Sequence, residues 1–312
     1  MKTMLSLVEL AAFTGTTRED LATEIGADAL LRQPHRPPAV PAHVARQVLE
    51  SRGHAFAPTV IAHMNLKGGI GKTTCTISTA ARAAQYGYRT CVLDLDPQAS
   101  ATLAFDRVPE PEDPLFIDVW KEPRKMVEVA IREVHDGLWL LPSALENGLL
   151  DSSLANPRSQ KHAVRKVCDE LSRLGFDLIL IDCPPSMSTA SISSVCATDI
   201  VVVPVGCDAY SMRGLELTLS EIDSICDTYN LPVPRARILL SRYDGRERTA
   251  RETNAILSER YSEALASAPI RVSTRFAQAL QHRQTVFGEY RSSTAKTDYD
   301  RYIRDTLGIN FE

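Results

Sequence analysis

From Thr59 onward the chain alternates short apolar runs with longer stretches of helical periodicity. The runs at 59–64, 90–95, 137–141, 177–182, 199–204 and 236–240 are almost continuously apolar. Strands covered on both faces read this way, whereas a half-exposed sheet would alternate. Helical stretches at 74–86, 160–173, 211–229 and 247–261 separate most of them. The predicted architecture is a doubly wound α/β domain: a mostly parallel sheet, helices on both faces, and a ligand site beyond the strand C-termini.

Before residue 56 the pattern changes. Leu5, Leu7, Val8, Leu10 and Ala11, then Leu21, Ile25 and Leu30, fall near helical spacing, interrupted at Gly15–Thr16–Thr17. Thr17 followed by Glu19 and Asp20 is a helix-start signal. Two short helices about a glycine turn suit a helix-turn-helix. Pro34, Pro37, Pro38 and Pro41 then exclude a helix interior over 32–41, which reads as a linker or extended arm. A third helix is expected at 42–52. The expected division is a small helical module at 1–55 and the α/β domain at 56–312.

Composition narrows this picture in three ways. The 312 residues, 44% of them hydrophobic, suffice for a large α/β domain with a small appendage. A formal net charge of −4 means that any contact with nucleic acid needs a local basic patch. The seven cysteines form no C-x-x-C pair and lie mostly in apolar runs, as expected for buried free thiols in a reducing cytoplasm. Met1–Leu10 lacks the apolar core of a secretory signal, and no run approaches the ~18–20 apolar residues of a membrane span. The expectation is a soluble cytoplasmic protein.

The most informative segment is Lys67, Gly68, Gly69, Ile70, Gly71, Lys72, Thr73 and Thr74. It follows the first apolar run and opens a helix, which is the setting of a phosphate-binding loop. Glycines let successive N–H groups point at one anion, and the helix N-terminus adds its dipole. Lys72 would reach the β- and γ-phosphates, and the Thr73 hydroxyl would ligate Mg²⁺. The usual pattern asks for glycine at position 66, where Leu66 stands, and a second lysine, Lys67, follows it.

Two further strands end in carboxylates. The run Cys91–Leu95 leads into Asp96, Pro97 and Gln98, so Asp94 and Asp96 leave the sheet near the loop. A carboxylate there can orient water for in-line attack or hold Mg²⁺; an isolated aspartate would instead cap a helix. Leu178–Ile181 ends in Asp182, the Walker B arrangement for a metal-binding acid, before Cys183, Pro184 and Pro185. Cys183 has no histidine near it in sequence and reads as a packing residue.

Together these motifs resemble the ParA/MinD ATPases and their deviant phosphate loop, over roughly 58–312. The resemblance implies nucleotide contacts from 67–74, ATP and Mg²⁺ as cofactors, and an ATP-dependent homodimer. It implies slow hydrolysis stimulated by a ParB-like centromere-binding protein. By it, Lys67 reaches across the dimer to the partner's phosphates, Asp96 activates water with Asp94 in support, and Thr73, Asp96 and Asp182 serve the metal. Asp208, after Val201–Pro204, falls where the family often has an acid near the nucleotide; a helix cap is the other reading. The N-terminal module resembles the helix-turn-helix extension of larger plasmid-type ParA proteins.

Arginines at about the positions of Arg246 and Arg275 bind DNA non-specifically in related ParA proteins, and Arg248 lies in the same cluster. Glu247, Glu252 and Glu259 are interspersed, so a solvated face is the bland alternative. The expected function is a cytoplasmic, nucleoid-associated ATPase that segregates plasmid or chromosomal DNA, with operator binding through residues 1–55. The alternatives are a MinD-like membrane-cycling ATPase and a nucleotide-switched repressor. The mixed-charge C-terminus, Tyr299–Glu312, argues against a membrane-binding tail.

Overall fold

In the computed structural model, residues 4–32, 37–288 and 292–309 are described. Pro34, the first three residues and the last three of the C-terminal segment lie outside the described residues. The chain starts with strand β1 (Leu5–Ser6) and helices α1 (Leu7–Phe13) and α2 (Arg18–Ile25). Ser6 and Glu9 form a capping box at the start of α1, each accepting the other's backbone N–H at 3.2 Å. Thr17 caps α2 by accepting the Asp20 N–H at 3.1 Å, as the sequence predicted. Strand β2 (Ala39–Val40) returns antiparallel to β1, and α3 (Ala42–Ser51) follows. Leu5, expected in a helix, is therefore in a strand, because Val40 pairs with it. Pro37 and Pro38 belong to an extended arm, with the Leu7 N–H donated to the Pro38 carbonyl at 2.9 Å.

The main sheet begins with β3 (Thr59–His63), α4 (Lys72–Gln85) and β4 (Thr90–Asp94). Three short helices follow, α5 (Ser100–Ala104), α6 (Phe116–Val119) and α7 (Pro123–Ala130), then β5 (Arg132–His135) and β6 (Leu138–Leu141). Next come α8 (Leu150–Ser153), α9 (Pro157–Arg173), β7 (Leu178–Asp182), α10 (Thr189–Ala197) and β8 (Ile200–Val205). The remainder is α11 (Ala209–Tyr229), β9 (Arg235–Leu240), α12 (Arg248–Arg260), α13 (Arg275–Gln281) and α14 (Thr294–Leu307).

The strand order is β5-β6-β4-β7-β3-β8-β9, parallel throughout except for β5 at the edge. All six predicted strands are present, each within a residue at either end. The seventh, β5, carries Arg132, Glu133 and His135, so it has no apolar run to announce it. Both faces of the sheet are covered. Ile61, Val92, Leu180 and Val202 point into one buried cluster with α4 and α14 residues. Their neighbours Val60, Leu93, Ile181 and Val203 point into the other, with α9, α10 and α11.

The N-terminal elements join the first of these clusters. Leu10, Leu21, Val44 and Leu49 are buried together with Ile61, Cys75 and Ala80. Arg46 of α3 donates to Asp177 at 2.6 Å and to the Gly87 carbonyl at 3.1 Å. Gly87, just past α4, has φ +95°, and a Cβ there would lie 2.5 Å from Arg46 Cβ and 2.6 Å from the Ala42 carbonyl oxygen. Only glycine permits α3 to lie this close. Gly87→Ala is therefore expected to lower unfolding stability by at least about 2 kcal/mol, through left-handed backbone strain plus overlap. Chemical denaturation checks this; an unchanged midpoint would mean that α3 does not depend on the close approach.

Candidate functional site

The turn after β3 carries the two conformations that its glycines were expected to supply. Gly69 and Gly71 have φ of +73° and +97°, and Gly71 stands immediately before α4 as its cap residue. The first amides of α4, from Lys72, Thr73 and Thr74, belong to the turn whose N–H groups have no intrahelical acceptor. Gly68 lies against Pro185, 4.0 Å from where its Cβ would be. Buried Ile70 tethers the loop to the end of β9, its carbonyl accepting the Ser241 hydroxyl at 3.0 Å.

Lys72 is buried, and its ammonium donates to the Lys67 carbonyl at 3.2 Å. Among the described residues it makes no ion pair. Burial lowers its pKa, opposed by the nearby Asp182 and Asp96 carboxylates. Asp182 ends β7 fully buried, in register with His63 on β3 and with Asp94 on β4. The Thr76 hydroxyl donates to its Oδ1 at 3.2 Å, while Oδ2 has no partner among the described residues. Burial, and then the neighbouring Asp94, raises the Asp182 pKa well above the usual carboxylate range; the Thr73 hydroxyl partly opposes this. Asp94 is also raised by burial, although its Oδ2 accepts the Thr102 N–H at 2.9 Å and hydroxyl at 2.7 Å. Asp96 is half-buried, with its Oδ1 accepting the Gln98 N–H at 2.9 Å.

Lys67 is held within its own chain. Its ammonium lies 2.8 Å from both oxygens of Asp208 and 2.9 Å from Ser211 Oγ. Asp208 also caps α11, accepting the Ser211 N–H at 2.9 Å, so the cap and the charged contact coexist. Burial opposes ionisation of Asp208, but Lys67 and Ser211 outweigh it and hold the pKa down at about 2. The Lys67 N–H is fixed by buried Asn65, which accepts it at 2.8 Å and donates to the Pro204 carbonyl at 2.9 Å.

The structure thus gathers 67–74, Asp94, Asp96, Asp182 and Asp208 at one end of the sheet. Beside the loop lies a cavity of about 300 Å³, lined by Gly71, Pro204, Arg242, Ile270 and Phe276 among others. Among the described residues no three His, Cys, Asp or Glu side chains form a protein-only metal cage. The donors present are the Thr73 hydroxyl, the partnerless Asp182 oxygen and Asp96. That set suits Mg²⁺ held mostly by phosphate and water oxygens.

The arginines stand apart from this cluster. Arg246 and Arg248 are exposed at the start of α12, bonded to Asp244 and Glu252 at 2.6 Å each. Arg275 is exposed at the start of α13. A bridge between Tyr243 and Arg271 sets the two arginine-bearing segments side by side. Asn65, Thr76 and Thr102 escaped the sequence reading. Only Thr76, one helical turn beyond Lys72, had a local signal.

A family model described as an AAA domain matches residues 58–233. An uncharacterized protein of Mycobacterium tuberculosis is 33% identical over 70% of this chain and 69% of its own length. The chromosome-partitioning ATPase Soj of Thermus thermophilus is 31% identical over 79% of this chain and 94% of its own. In fold, the chain is similar to a variant of Cyanothece McdA in complex with ATP, with a TM-score of 0.73 and 20% identity over 80% of this chain and 96% of that one.

The charge arrangement gives a first test. Asp182 costs stability in the nucleotide-free protein, since it is buried beside a like charge. Asp182→Asn keeps an acceptor for Thr76 and removes the ionisable group, so it is expected to raise the thermal midpoint by roughly 1.5 °C for each kcal/mol gained. A lowered midpoint in calorimetry without nucleotide would show that the ionised carboxylate is stabilised by something other than its visible partners.

Proposed function

Because this chain belongs to the ParA/Soj/MinD family of partition ATPases, we propose that it binds ATP–Mg²⁺ at 67–74, dimerises, and uses hydrolysis to release DNA or another cargo. The observation carrying this reading concerns two buried groups. Lys72 is an ammonium without an ion pair among the described residues, and beside it the Asp182 carboxylate has a partnerless oxygen. A buried ammonium and a buried carboxylate that offset each other only partly, without a direct ion pair, are costly to folding and are expected where a phosphate chain and a cation complete them. Thr73 and Asp182 would hold Mg²⁺, which supplies charge neutralisation at the phosphates. Asp96 would orient the attacking water. The cavity beside Ile270 and Phe276 would take the base.

Lys67 fits a role across the dimer. Its backbone is fixed by Asn65, while its ammonium is held by half-exposed Asp208 and by Ser211, contacts that a partner's phosphates can replace. Lys72→Ala is expected to abolish ATP binding in a direct titration. Lys67→Ala should retain ATP binding yet lose the ATP-dependent dimer seen by light scattering. Asp96→Ala should dimerise and trap ATP. Normal dimerisation and hydrolysis by Lys67→Ala would remove the trans role.

The finer reading is partition of plasmid or chromosomal DNA with a ParB-like stimulating partner and nucleoid association. For residues 1–55, α2 presents Arg18 with Glu19, Asp20 and Glu24, an acidic face for approaching phosphates. With α1 and α3 packed into the shared core, this supports a role for the module in the ATPase fold or its dimer over operator reading. Membrane cycling is the second reading. Among the described residues no helix is long and apolar enough to cross a membrane, and α14 mixes Asp298, Asp300 and Asp305 with Arg301 and Arg304.

Non-specific DNA binding would use Arg246, Arg248 and Arg275 in the ATP dimer. Each phosphate contact contributes about −0.9 to the slope of log affinity against log salt, so a few arginines per monomer bind weakly and two surfaces bind better. Arg275→Glu is expected to flatten that slope and weaken binding to random duplex, with ATP-dependent dimerisation intact. Equal affinity with ATP, with ADP and in the variant would reduce these arginines to a solvated face.

A further inference from the structure

The turn that carries Asp96 is held from within by the Gln98 and Ala99 amides, and it also takes a bond from outside. Pro97 has no N–H to donate, and Ala99 sits at φ +53°, a left-handed conformation that non-glycine residues disfavour. Ala99 is the cap residue of α5, and its side chain makes no capping bond to that helix. Within the turn, the Ala99 N–H is donated to the Asp96 carbonyl at 2.8 Å. A second donor reaches the same carbonyl from the segment after β6: the Ser143 hydroxyl, also at 2.8 Å.

The direction of that bond is fixed. Ser143 Oγ accepts the Asn147 side-chain N–H at 2.9 Å, so its single proton is left for Asp96. The Ser143 N–H is donated to Thr102 Oγ1 at 2.9 Å, and the Thr102 proton goes on to Asp94 Oδ2 at 2.7 Å. Ser143, Asn147, Thr102 and Asp94 are all buried, with exposures of 2% or less. Water therefore does not compete for these bonds, and each has one arrangement. Two branches leave Ser143, one to the Asp96 backbone and one to the Asp94 side chain.

We propose that Ser143, oriented by Asn147, is a positioning residue for Asp96. It fixes the peptide from which the Asp96 carboxylate projects, so that the carboxylate meets the attacking water in one geometry. This rests on the reading of Asp96 as the water-orienting acid. The hydrogen bonds of Ser143 go to Asp96, Thr102 and Asn147 and not to the nucleotide loop, so its effect should fall on turnover and not on nucleotide capture.

The test uses the full chain with ATP and Mg²⁺. For Ser143→Ala, kcat of ATP hydrolysis is expected to fall about 10- to 100-fold, the cost of misplacing a reacting group by a fraction of an ångström to 1 Å. KM and the ATP-dependent dimer should stay within about twofold, because Ser143 bonds none of the residues of the nucleotide loop. Amide exchange in the peptide spanning 95–104 should accelerate without nucleotide, as the Ala99 and Gln98 amides lose their fixed acceptors. Ser143→Cys, nearly the same size with a weak donor, carries the same test if Ser143→Ala does not fold. Asp96→Ala separates the two ideas. If it is inactive while both Ser143 variants hydrolyse normally, the positioning role is overturned alone. If Asp96→Ala hydrolyses normally, both readings are overturned. A parallel loss of KM, dimer and kcat would mark Ser143 as a general structural residue and also overturn the proposal.

Discussion

Asp182 ends the strand β7 with its carboxylate sealed from solvent, one oxygen bonded by Thr76 and the other by none of the described residues. Strand order makes this unavoidable. With β7 between β4 and β3, parallel register sets Asp94 beside Asp182 and brings the loop after β3 to the same edge. Two carboxylates and the Lys72 ammonium then share a small, dry volume. Lys72 offsets part of the charge without a direct ion pair among the described residues, so the cluster is left electrostatically incomplete. The flanking strands add a second acid, Asp94, and a buried His63 that burial keeps neutral, so the remaining balance is left to a ligand. The stability that the core provides is what permits this unfinished site.

Helix α4 carries that site at one end and an anchor at the other. Arg82, about 15 Å along the helix from Lys72 at 1.5 Å per residue, is almost fully buried. It pairs with Glu9 of α1 at 3.2 Å and with Asp300 of α14 at 2.6 Å, and Lys296 pairs with Glu9 at 3.0 Å. A buried guanidinium is tolerable only when it is surrounded in this way, so α1 and α14 complete α4 as much as they cover it. Helix α14 also reaches back toward the loop: its Tyr302 hydroxyl lies 3.5 Å from both Cys75 Sγ and His63 Nε2. Helices α1 and α3 are accordingly built onto the phosphate-loop helix, whereas a tethered head would make no such contacts.

The division between what the sequence reveals and what it hides follows distance along the chain. Gly69 and Gly71 are legible because a phosphate loop is local: spacing, strand and helix lie within a few residues. Asp94, Asp96 and Asp182 are legible because each terminates an apolar run. Strand β5 is not, since an edge strand needs no apolar face and its pairing with β6 is a tertiary choice. Strand β1 is hidden for the same reason, as Leu5 and Leu7 satisfy helical spacing equally well. Lys67 is conspicuous by itself, but nothing near it points to Asp208, 141 residues away. Thr102 and Ser143 are small polar residues in apolar surroundings, which sequence alone cannot distinguish from ordinary packing.

The Lys67–Asp208 contact shows how one residue can belong to two arrangements without a change of fold. Asn65 holds the Lys67 backbone from a buried position, while Asp208 is nearly half exposed and holds only the ammonium. The rigid part of Lys67 is thus set by the protein, and the mobile part by a contact that solvent already weakens. A polyphosphate carries more negative charge than one carboxylate and is the stronger acceptor for the same ammonium. Exchange of Lys67 from Asp208 to phosphate would therefore require no new strain, at the cost of the contact to Asp208 and the one to Ser211. What changes is the partner of a single flexible side chain, and Asp208 remains satisfied by Ser211 and by its role at the start of α11.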